Sequence, residues 1–340
     1  MKTVVTFGEC MVRLSPPDFQ RLEQTNALAM SVGGAEWNVA VDLARLDVPS
    51  RWISALPENP LGRQIRNKAR EHGVDTSLVK FTKEGRAGIY FVEYGSSPRA
   101  STVLYDRADS AISRLKPEDI DWEKAFAGAQ WFHTTGITPA LSESCAKVTE
   151  LAIKTARRMG LTVSYDLNYR GKLWSQAQAR ATTERFIRDV NVCVGNEEDA
   201  SVVLGVKSGA ADENYTKLDA ARYADMAAEM TATYGFTHVA TSLRESPSVQ
   251  RNRWGGMLYT GGKAYLSRQY DLEVIDRVGG GDSFSAGLIR SLMLGADPQQ
   301  AVEFAAAFSA LKHTIPTDMN WTTAAEVEAL LKGGGARIKR

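Results

Sequence analysis

The chain alternates between short apolar runs and longer segments in which apolar residues recur at helical spacing. The short runs predict buried strands at residues 3–7, 51–56, 161–166, 191–195 and 237–242. Between them, helices are predicted from apolar stripes such as Trp37, Ala40, Val41 and Ala44, and Ala301, Phe304, Ala305 and Phe308. This alternation is typical of βαβ units, so the sequence predicts an α/β fold with a doubly wound, mostly parallel sheet flanked by helices.

One pair of predicted strands breaks this alternation. Residues 86–94 and 99–107 are joined directly through residues 95–98, with no helix between them, so the two strands should run antiparallel. We expect this pair to join the segment 13–32 in a small β-sheet that covers the main domain as a lid. The exposed strand edges of such a lid favour pairing with a second copy, so a homo-oligomer through the lid is expected.

These segments divide the chain into a main domain, a lid and a tail. The tail is expected to be flexible because it is terminal and rich in glycine. The predicted bounds are 1–12, 33–85 and 108–332 for the main α/β domain, 13–32 and 86–107 for the β lid, and 333–340 for the tail.

Composition narrows the classes of function. The 340 residues carry 41 basic and 40 acidic side chains, a net charge of +1, so no overall field favours nucleic acid or an anionic membrane. The first ten residues lack the apolar core of a signal peptide, and no run reaches the length of a membrane span. The cysteines Cys10, Cys145 and Cys193 are far apart and form no C-x-x-C pair. A reduced, cytoplasmic protein that binds small molecules is expected.

The strongest candidate for chemistry is the stretch DRVGGGDSFSAG at residues 276–287, which runs into a helical pattern. Gly279, Gly280 and Gly281 let the backbone approach a ligand closely and turn its N–H groups toward it. The start of a helix adds unpaired donors and a positive dipole, so this turn suits a phosphate. Asp282 then has two interpretations, a helix N-cap or a base that takes a proton from an attacking hydroxyl. The local pattern leaves both open.

Motifs of competing enzyme classes are absent from the sequence. It contains no G-x-x-x-x-G-K-[ST] phosphate loop, no G-x-G-x-x-G dinucleotide turn and no G-x-S-x-G nucleophile elbow. The four histidines have neither H-E-x-x-H spacing nor partner cysteines. P-loop enzymes, Rossmann dehydrogenases, α/β-hydrolases and zinc enzymes are therefore disfavoured.

The glycine-rich stretch resembles the D-T-T-G-A-G-D-x-F-x-x-G signature of the ribokinase-like (PfkB) carbohydrate kinases. A second signature of that family is similar to GGAEWNVA at residues 33–40, in the expected order along the chain. Within the family, DLNYRGKLWS at 166–175 and the segment 103–111 most resemble the 2-keto-3-deoxygluconate kinases. The chain departs from the family pattern at Arg277 and Val278, where many relatives have two threonines. It departs again at Thr317, where a glycine is frequent.

The resemblance implies an acceptor site lined by Gly34, Asn38, Tyr90, Tyr105, Arg107, Arg170 and Asp318, with Asp282 as the base. Alternation along a strand places Tyr105 and Arg107 on one face of the lid. Two arginines suit a carboxylate-bearing sugar acid, because guanidinium and carboxylate pair through two parallel hydrogen bonds. The alternative is that both arginines form ordinary ion pairs with nearby acids such as Asp106 or Asp166. The tyrosines could likewise be lid packing, and Asp318 a turn former.

For the nucleotide, the resemblance implies that the ATP phosphates lie over residues 279–281. Residues implied at the adenine and along the nucleotide loop are Ser242, Arg244, Ala306 and Ser309. Mg²⁺ would be held through water by Asn196 and Asp199, which correspond to the family's N-x-x-E motif with the shorter Asp in place of Glu, and a monovalent cation such as K⁺ by Asp276. The alternative for the pair at 196 and 199 is a capped helix start.

The resemblance as a whole implies ATP-dependent phosphorylation of 2-keto-3-deoxygluconate to its 6-phosphate. Two alternatives stay open at this point. One is a neutral-sugar kinase of the fructokinase or ribokinase type, which has less need of the two arginines. The other is a non-catalytic sugar-binding regulator of the same fold, which should lack the base that Asp282 provides here.

Overall fold

The fold is built around one large β-sheet with helices on both faces. In a computed structural model, residues 2–206 and 219–333 are described. The large sheet has the strand order β14-β13-β12-β11-β10-β9-β1-β4, with β15 paired to β13. In this sheet β12, β11, β10, β9, β1 and β4 are parallel, while β13, β14 and β15 pair antiparallel. This mixed, mostly parallel sheet confirms the predicted fold class.

The strands and helices alternate along most of the chain. The strands are β1 Thr3–Phe7, β2 Met11–Ser15, β3 Ala29–Gly33, β4 Ser50–Ile53, β5 Ala55–Pro57, β6 Lys80–Thr82, β7 Ile89–Glu93, β8 Thr102–Asp106, β9 Ala129–Thr135, β10 Thr162–Asp166, β11 Val192–Val194, β12 His238–Glu245, β13 Arg251–Thr260, β14 Lys263–Leu266 and β15 Tyr270–Glu273. The helices are α1 Ala35–Arg45, α2 Pro60–Glu71, α3 Trp122–Phe126, α4 Ile137–Ala140, α5 Glu143–Arg158, α6 Gln176–Thr183, α7 Glu197–Asp199, α8 Ala220–Tyr234, α9 Gly280–Met293, α10 Pro298–Lys312 and α11 Ala324–Leu331.

Both faces of the large sheet are buried, each under its own hydrophobic core. Along β1, Val4 packs into one core and Val5 into the other, and both side chains are fully buried. A strand covered on both faces reads as a continuous apolar run, which is why the sequence pattern located β1 correctly. Helices α9 and α10 cover one face together. They approach so closely that a Cβ at Gly287 would lie 2.9 Å from Cα of Ala305.

A separate four-stranded sheet, in the order β3-β2-β7-β8, is formed by the segments predicted as the lid. The predicted antiparallel pair is confirmed as β7 and β8, and β2 runs parallel to β7. The first segment extends slightly beyond 13–32, because β2 begins at Met11 and β3 ends at Gly33. Pairing of a second copy through this sheet stays a prediction.

One strand was predicted wrongly. The apolar run 51–56 is two strands, because β4 pairs with β1 in the large sheet while β5 leaves it and pairs with β6. Most of the predicted tail, residues 334–340, lies outside the described residues. Within the ranges described, no helix is long and apolar enough to cross a membrane.

Candidate active site

A cleft of about 450 Å³ opens between the small sheet and the carboxyl ends of the central strands. Ligands of open α/β sheets bind at this edge, where loops that follow the strands converge. Most residues predicted for the site line the cleft, namely Gly34, Asn38, Tyr90, Tyr105, Arg107, Arg170, Asn196, Asp199, Ser242, Arg244, Gly279, Gly281, Asp282 and Asp318. The fold therefore brings together segments that are far apart in the sequence.

The glycine turn lies at the start of α9. Gly279 is the N-cap, with φ of 84°, and a Cβ there would lie 1.8 Å from the carbonyl oxygen of Asp318. Only glycine tolerates both conditions. Gly281 is exposed and has open space beside it, whereas a Cβ at Gly280 would meet the ring of His313 at 2.5 Å. The turn therefore presents the first N–H groups of α9 to the cleft, as an anion site requires.

Asp282 is the third residue of α9 and makes no capping hydrogen bond. The N-cap interpretation is therefore wrong, since Gly279 takes that position. Oδ2 of Asp282 instead accepts a hydrogen bond of 2.6 Å from Nδ2 of Asn38. Burial raises the pKa of Asp282 to about 7, and the Asn38 bond opposes that rise. A carboxylate with a pKa near neutrality, partly exposed to a cleft, is suited to act as a general base.

The small sheet contributes an aromatic and cationic wall. Tyr90 and Tyr105 stack with ring centroids 6.0 Å apart, and the guanidinium of Arg107 lies 5.5 Å from the Tyr105 ring centroid. Arg107 also donates from Nε, at 2.8 Å, and from Nη2 to the same oxygen of Glu9. The predicted partner Asp106 is instead paired with Arg86. The ion-pair alternative thus holds for Arg107, with a different and buried acid.

Glu9 is a cleft residue to which the sequence interpretation gave no role. It is 3% exposed, and its Oε1 has no hydrogen-bond partner among the described residues. A buried carboxylate oxygen without a donor carries a desolvation cost. Since Glu9 lines the cleft, that oxygen is placed to accept a hydrogen bond from a ligand hydroxyl.

Arg170 lies on the opposite side of the cleft among three acids. It donates to the carbonyl of Tyr169 at 3.0 Å, and within the described part of the chain no carboxylate forms an ion pair with it. Its charge nevertheless lowers the pKa values of Asp166, Asp199 and Asp282, although burial is the larger effect and raises all three. Arg170 is therefore a cation that lines the cleft and has no carboxylate partner among the described residues.

Asn196 and Asp199 form a capped helix start, which was the alternative to a metal site. Asn196 caps α7 by accepting from the N–H of Asp199, and Oδ1 of Asp199 accepts from the N–H of Tyr169 at 3.0 Å. Beside them, Oε1 of Glu197 is buried and accepts no hydrogen bond from the part of the chain that the structure describes, and the residue lines the cleft. Oxygen ligands suit Mg²⁺, which proteins hold through one or two carboxylates together with substrate phosphates. The residues present therefore fit a Mg²⁺ ion that arrives with a nucleotide.

Four predicted residues lie away from the cleft surface. Ala306 and Ser309 are fully buried in α10, so neither can contact an adenine as implied. The Ser309 hydroxyl instead donates to the carbonyl of Gly280 at 2.6 Å and supports the glycine turn from below. Gly280 itself is buried by His313, and Trp254 and His313 line the cleft in that region.

Asp276 is the fourth predicted residue that does not line the cleft. Its Oδ2 accepts from Nη2 of Arg13 at 2.6 Å, from the Tyr94 hydroxyl at 2.9 Å and from the N–H of Thr317 at 3.1 Å, while Oδ1 accepts from the N–H of Val278 at 3.0 Å. A carboxylate offers about four acceptor positions. Four donors already contact this carboxylate, three at Oδ2 and one at Oδ1, and one of them is a guanidinium that neutralises its charge, so it does not fit the monovalent cation that the resemblance implied.

Arg13 was missed by the sequence interpretation. It is 1% exposed and joins two loops, because its Nη1 also donates to Oδ1 of Asp318 at 2.6 Å. The available signal was a charged residue between Val12 and Leu14 in an apolar strand, since a buried charge demands a partner.

Comparisons with known proteins show that the chain is similar to kinases of keto-deoxy sugar acids along nearly its whole length. The chain is 36% identical over 337 residues to the 2-dehydro-3-deoxygalactonokinase of Haloferax volcanii, covering 99% of each chain. It is 28% identical to the 2-dehydro-3-deoxygluconokinase of Thermoproteus tenax, covering 92% of this chain and 88% of that one. The crystal structure of the 2-dehydro-3-deoxygluconokinase from Thermotoga maritima superposes with a TM-score of 0.93 at 44% identity and covers 98% of both chains.

The family assignment rests on the whole length of the chain. Residues 1–320 match the pfkB family carbohydrate kinases. Glycines from both glycine-rich segments, Gly33 and Gly34 in one and Gly279 and Gly281 in the other, line the cleft described above together with Asp282. This protein therefore belongs to the pfkB family of carbohydrate kinases, and it is a sugar kinase.

Proposed function

We propose that this kinase transfers the γ-phosphoryl group of ATP to a hydroxyl of a keto-deoxy sugar acid. The proposed acceptor is 2-keto-3-deoxygluconate, and the product is its 6-phosphate. The observation that carries this proposal is Arg170, a cation in the same cleft as Asp282 to which no carboxylate in residues 2–206 and 219–333 is paired. The kinases of keto-deoxy sugar acids among its relatives support the same class of acceptor.

The chemistry requires one proton transfer and one phosphoryl transfer. Asp282 takes the proton of the acceptor hydroxyl as the new oxygen–phosphorus bond forms and the bond to the β-phosphate oxygen breaks. The N–H groups at Gly279 and Gly281 face the transferred group and stabilise its charge, which is the main requirement of such reactions. Asn196 and Glu197 would hold the Mg²⁺ that accompanies ATP, and this ion supplies further neutralisation of phosphate charge.

The acceptor is held at both ends in this proposal. Its carboxylate pairs with Arg170, since a guanidinium offers two parallel donors to a carboxylate. A hydroxyl donates to the partnerless Oε1 of Glu9, while Tyr90 and Tyr105 cover the carbon chain from the lid side. The hydroxyl to be phosphorylated then faces Asp282.

A panel of acceptors tests the proposal. ADP release is measured with 2-keto-3-deoxygluconate, 2-keto-3-deoxygalactonate, fructose and ribose under identical conditions. We expect kcat/KM to be highest for the keto-deoxy sugar acids. Strong turnover with fructose or ribose alone would refute the assignment of a sugar acid.

One observation favours a neutral-sugar kinase as a second candidate. Glu9 neutralises Arg107 through a buried ion pair, so of the two arginines assigned to the acceptor site Arg170 alone is left to meet a carboxylate. The variant Arg170→Met separates the two candidates. For a sugar acid, loss of a charge-assisted bond should raise KM by about 10–100-fold, whereas KM for a neutral sugar should stay unchanged. Arg86→Met, on the exposed side of the lid, is the matched control.

A further inference from the structure

A buried ammonium group contacts the backbone on the interior side of the glycine turn in this kinase. Lys312 is the last residue of α10, and its side chain is fully buried. Its Nζ donates to the backbone carbonyl of Asp276 at 3.1 Å and to that of Ile315 at 3.2 Å. One carbonyl begins the segment 276–281, which we call the anion loop, and the other belongs to the segment that leads to Asp318.

These contacts are the ones a bound monovalent cation would make. Such an ion is held by backbone carbonyl oxygens of adjacent segments, with a carboxylate close enough to balance its charge. Burial lowers the pKa of Lys312, and the nearby carboxylates of Asp276 and Asp318 oppose that change by favouring the charged form. The positive charge therefore has its counter-charges, although no carboxylate of the described residues contacts the ammonium directly.

Arg13 supplies a second fixed cation on the other side of Asp276. Its guanidinium bridges Asp276 and Asp318, with both distances at 2.6 Å. The side chain of Asp276 is thus satisfied by Arg13, and its backbone carbonyl by Lys312. Together the two cations occupy the groups that an ion would need.

A simpler interpretation is that Lys312 only caps its own helix, since a lysine in the last turn often bonds the final carbonyls. The contact to Ile315, three residues beyond the end of α10, is local. The contact to Asp276 is not, because Asp276 lies 36 residues earlier in the chain. The adjacent residue His313 holds the start of the same loop, because its carbonyl accepts from the N–H of Ile275 at 2.8 Å and from that of Asp276 at 3.3 Å. The end of α10 therefore holds the anion loop rather than only itself.

We propose that Lys312 is a positioning residue that serves the anion loop as a built-in monovalent cation, with Arg13 as its partner. The kinase then needs no added K⁺ to bind MgATP or to turn over. Removal of the ammonium group should create a dependence on K⁺ that the wild-type protein lacks. This inference goes beyond the proposed function and does not depend on the identity of the acceptor.

The test is calorimetric titration of the full chain with MgATP in two salts. One buffer contains about 0.1 M tetramethylammonium chloride and the other the same concentration of KCl, so that ionic screening is equal. The wild-type protein should bind MgATP equally, within about twofold, in both salts. Lys312→Met should bind about tenfold or more weakly in tetramethylammonium, the effect of losing one charged hydrogen bond, and K⁺ should restore most of that loss. Lys154→Met, on the exposed face of α5, should behave like the wild type in both salts.

The outcomes separate a positioning role from a merely structural one. A wild-type protein whose MgATP affinity rises about tenfold with K⁺ overturns the proposal, and this measurement is decisive even if Lys312→Met fails to fold. A folded variant that binds like the wild type, or whose loss K⁺ does not repair, also overturns it. Because MgATP binding involves no acceptor, failure of the sugar-acid assignment would leave these results unaffected.

Discussion

Removal of the Asn38 side chain should shift the pH dependence of this kinase, because that amide is the hydrogen-bond donor to Asp282. Nδ2 of Asn38 lies 2.6 Å from the carboxylate, and the bond favours its charged form. A hydrogen bond to a charged group contributes about 1.5–3 kcal/mol, and one pKa unit corresponds to about 1.4 kcal/mol. Since the pKa of Asp282 is about 7 in the intact site, Asn38→Ala should raise it by about one to two units.

The sign follows from the role of the group. A base acts only when unprotonated, so wild-type kcat/KM should rise with pH, reach half its maximum near pH 7 and then level off. In Asn38→Ala the midpoint should lie one to two units higher, with a loss of about 5–50-fold at neutral pH and recovery in more alkaline buffer.

The assay is the pH profile of kcat/KM, which reports the essential groups of the free enzyme. Asn67→Ala, on the exposed side of α2, provides a control for loss of an amide elsewhere. An equal loss of activity at every pH, with an unchanged midpoint, would refute the reasoning and leave Asn38 with a role in acceptor binding alone.

Three further predictions concern the base, the turn and the lid. Asp282→Asn should lower kcat by about 10²–10⁴-fold with unchanged affinity for MgATP, and near-normal turnover would remove the assigned role. Gly279→Ala places a Cβ 1.8 Å from the carbonyl oxygen of Asp318, so calorimetry should show that this variant binds MgATP more weakly than Gly73→Ala does. Gly73 is the control because its φ is also positive but its surroundings are open. Equal MgATP binding by the two variants would contradict the clash. The acceptor should slow amide exchange in residues 86–107, measured by mass spectrometry, because a closed lid excludes water; unchanged exchange would count against closure.

The fold was predictable where one short segment determines its own structure. A strand buried on both faces is a continuous apolar run, so β1 was located correctly. The run 51–56 was not, because apolarity does not say which neighbour a strand pairs with. Ile53 ends a strand of the large sheet, and Ala55 begins a strand that pairs with β6. Pairing is decided by contacts distant in the sequence.

In the candidate site, too, residues required by local geometry were predictable and contacts between distant segments were not. Gly279 was identifiable because the positive φ of the turn requires a glycine there locally, whereas the need for Gly280 comes from the distant ring of His313. The ion pairs of Arg13 were not, since its two acids lie 263 and 305 residues further along the chain. Without that partner, Asp276 was interpreted as a ligand for an ion, although its carboxylate is already satisfied within the protein.

A turn made of three glycines needs contacts from the rest of the protein to hold its backbone. This explains why a departure from the family pattern such as Arg277 is tolerated. Ordering a residue costs about 1–2 kcal/mol, and glycine loses the most freedom. If the turn became ordered only when ATP arrived, binding would bear that cost and its amides would not be preorganised for the transferred phosphoryl group. Here the turn is held before ATP binds, because Ser309 donates to the carbonyl of Gly280 and Lys312 to the carbonyl of Asp276. The side chain of Arg277 is engaged by the carbonyl of Val249, so the turn depends less on the residue at this position than on the backbone that Lys312 and Ser309 restrain.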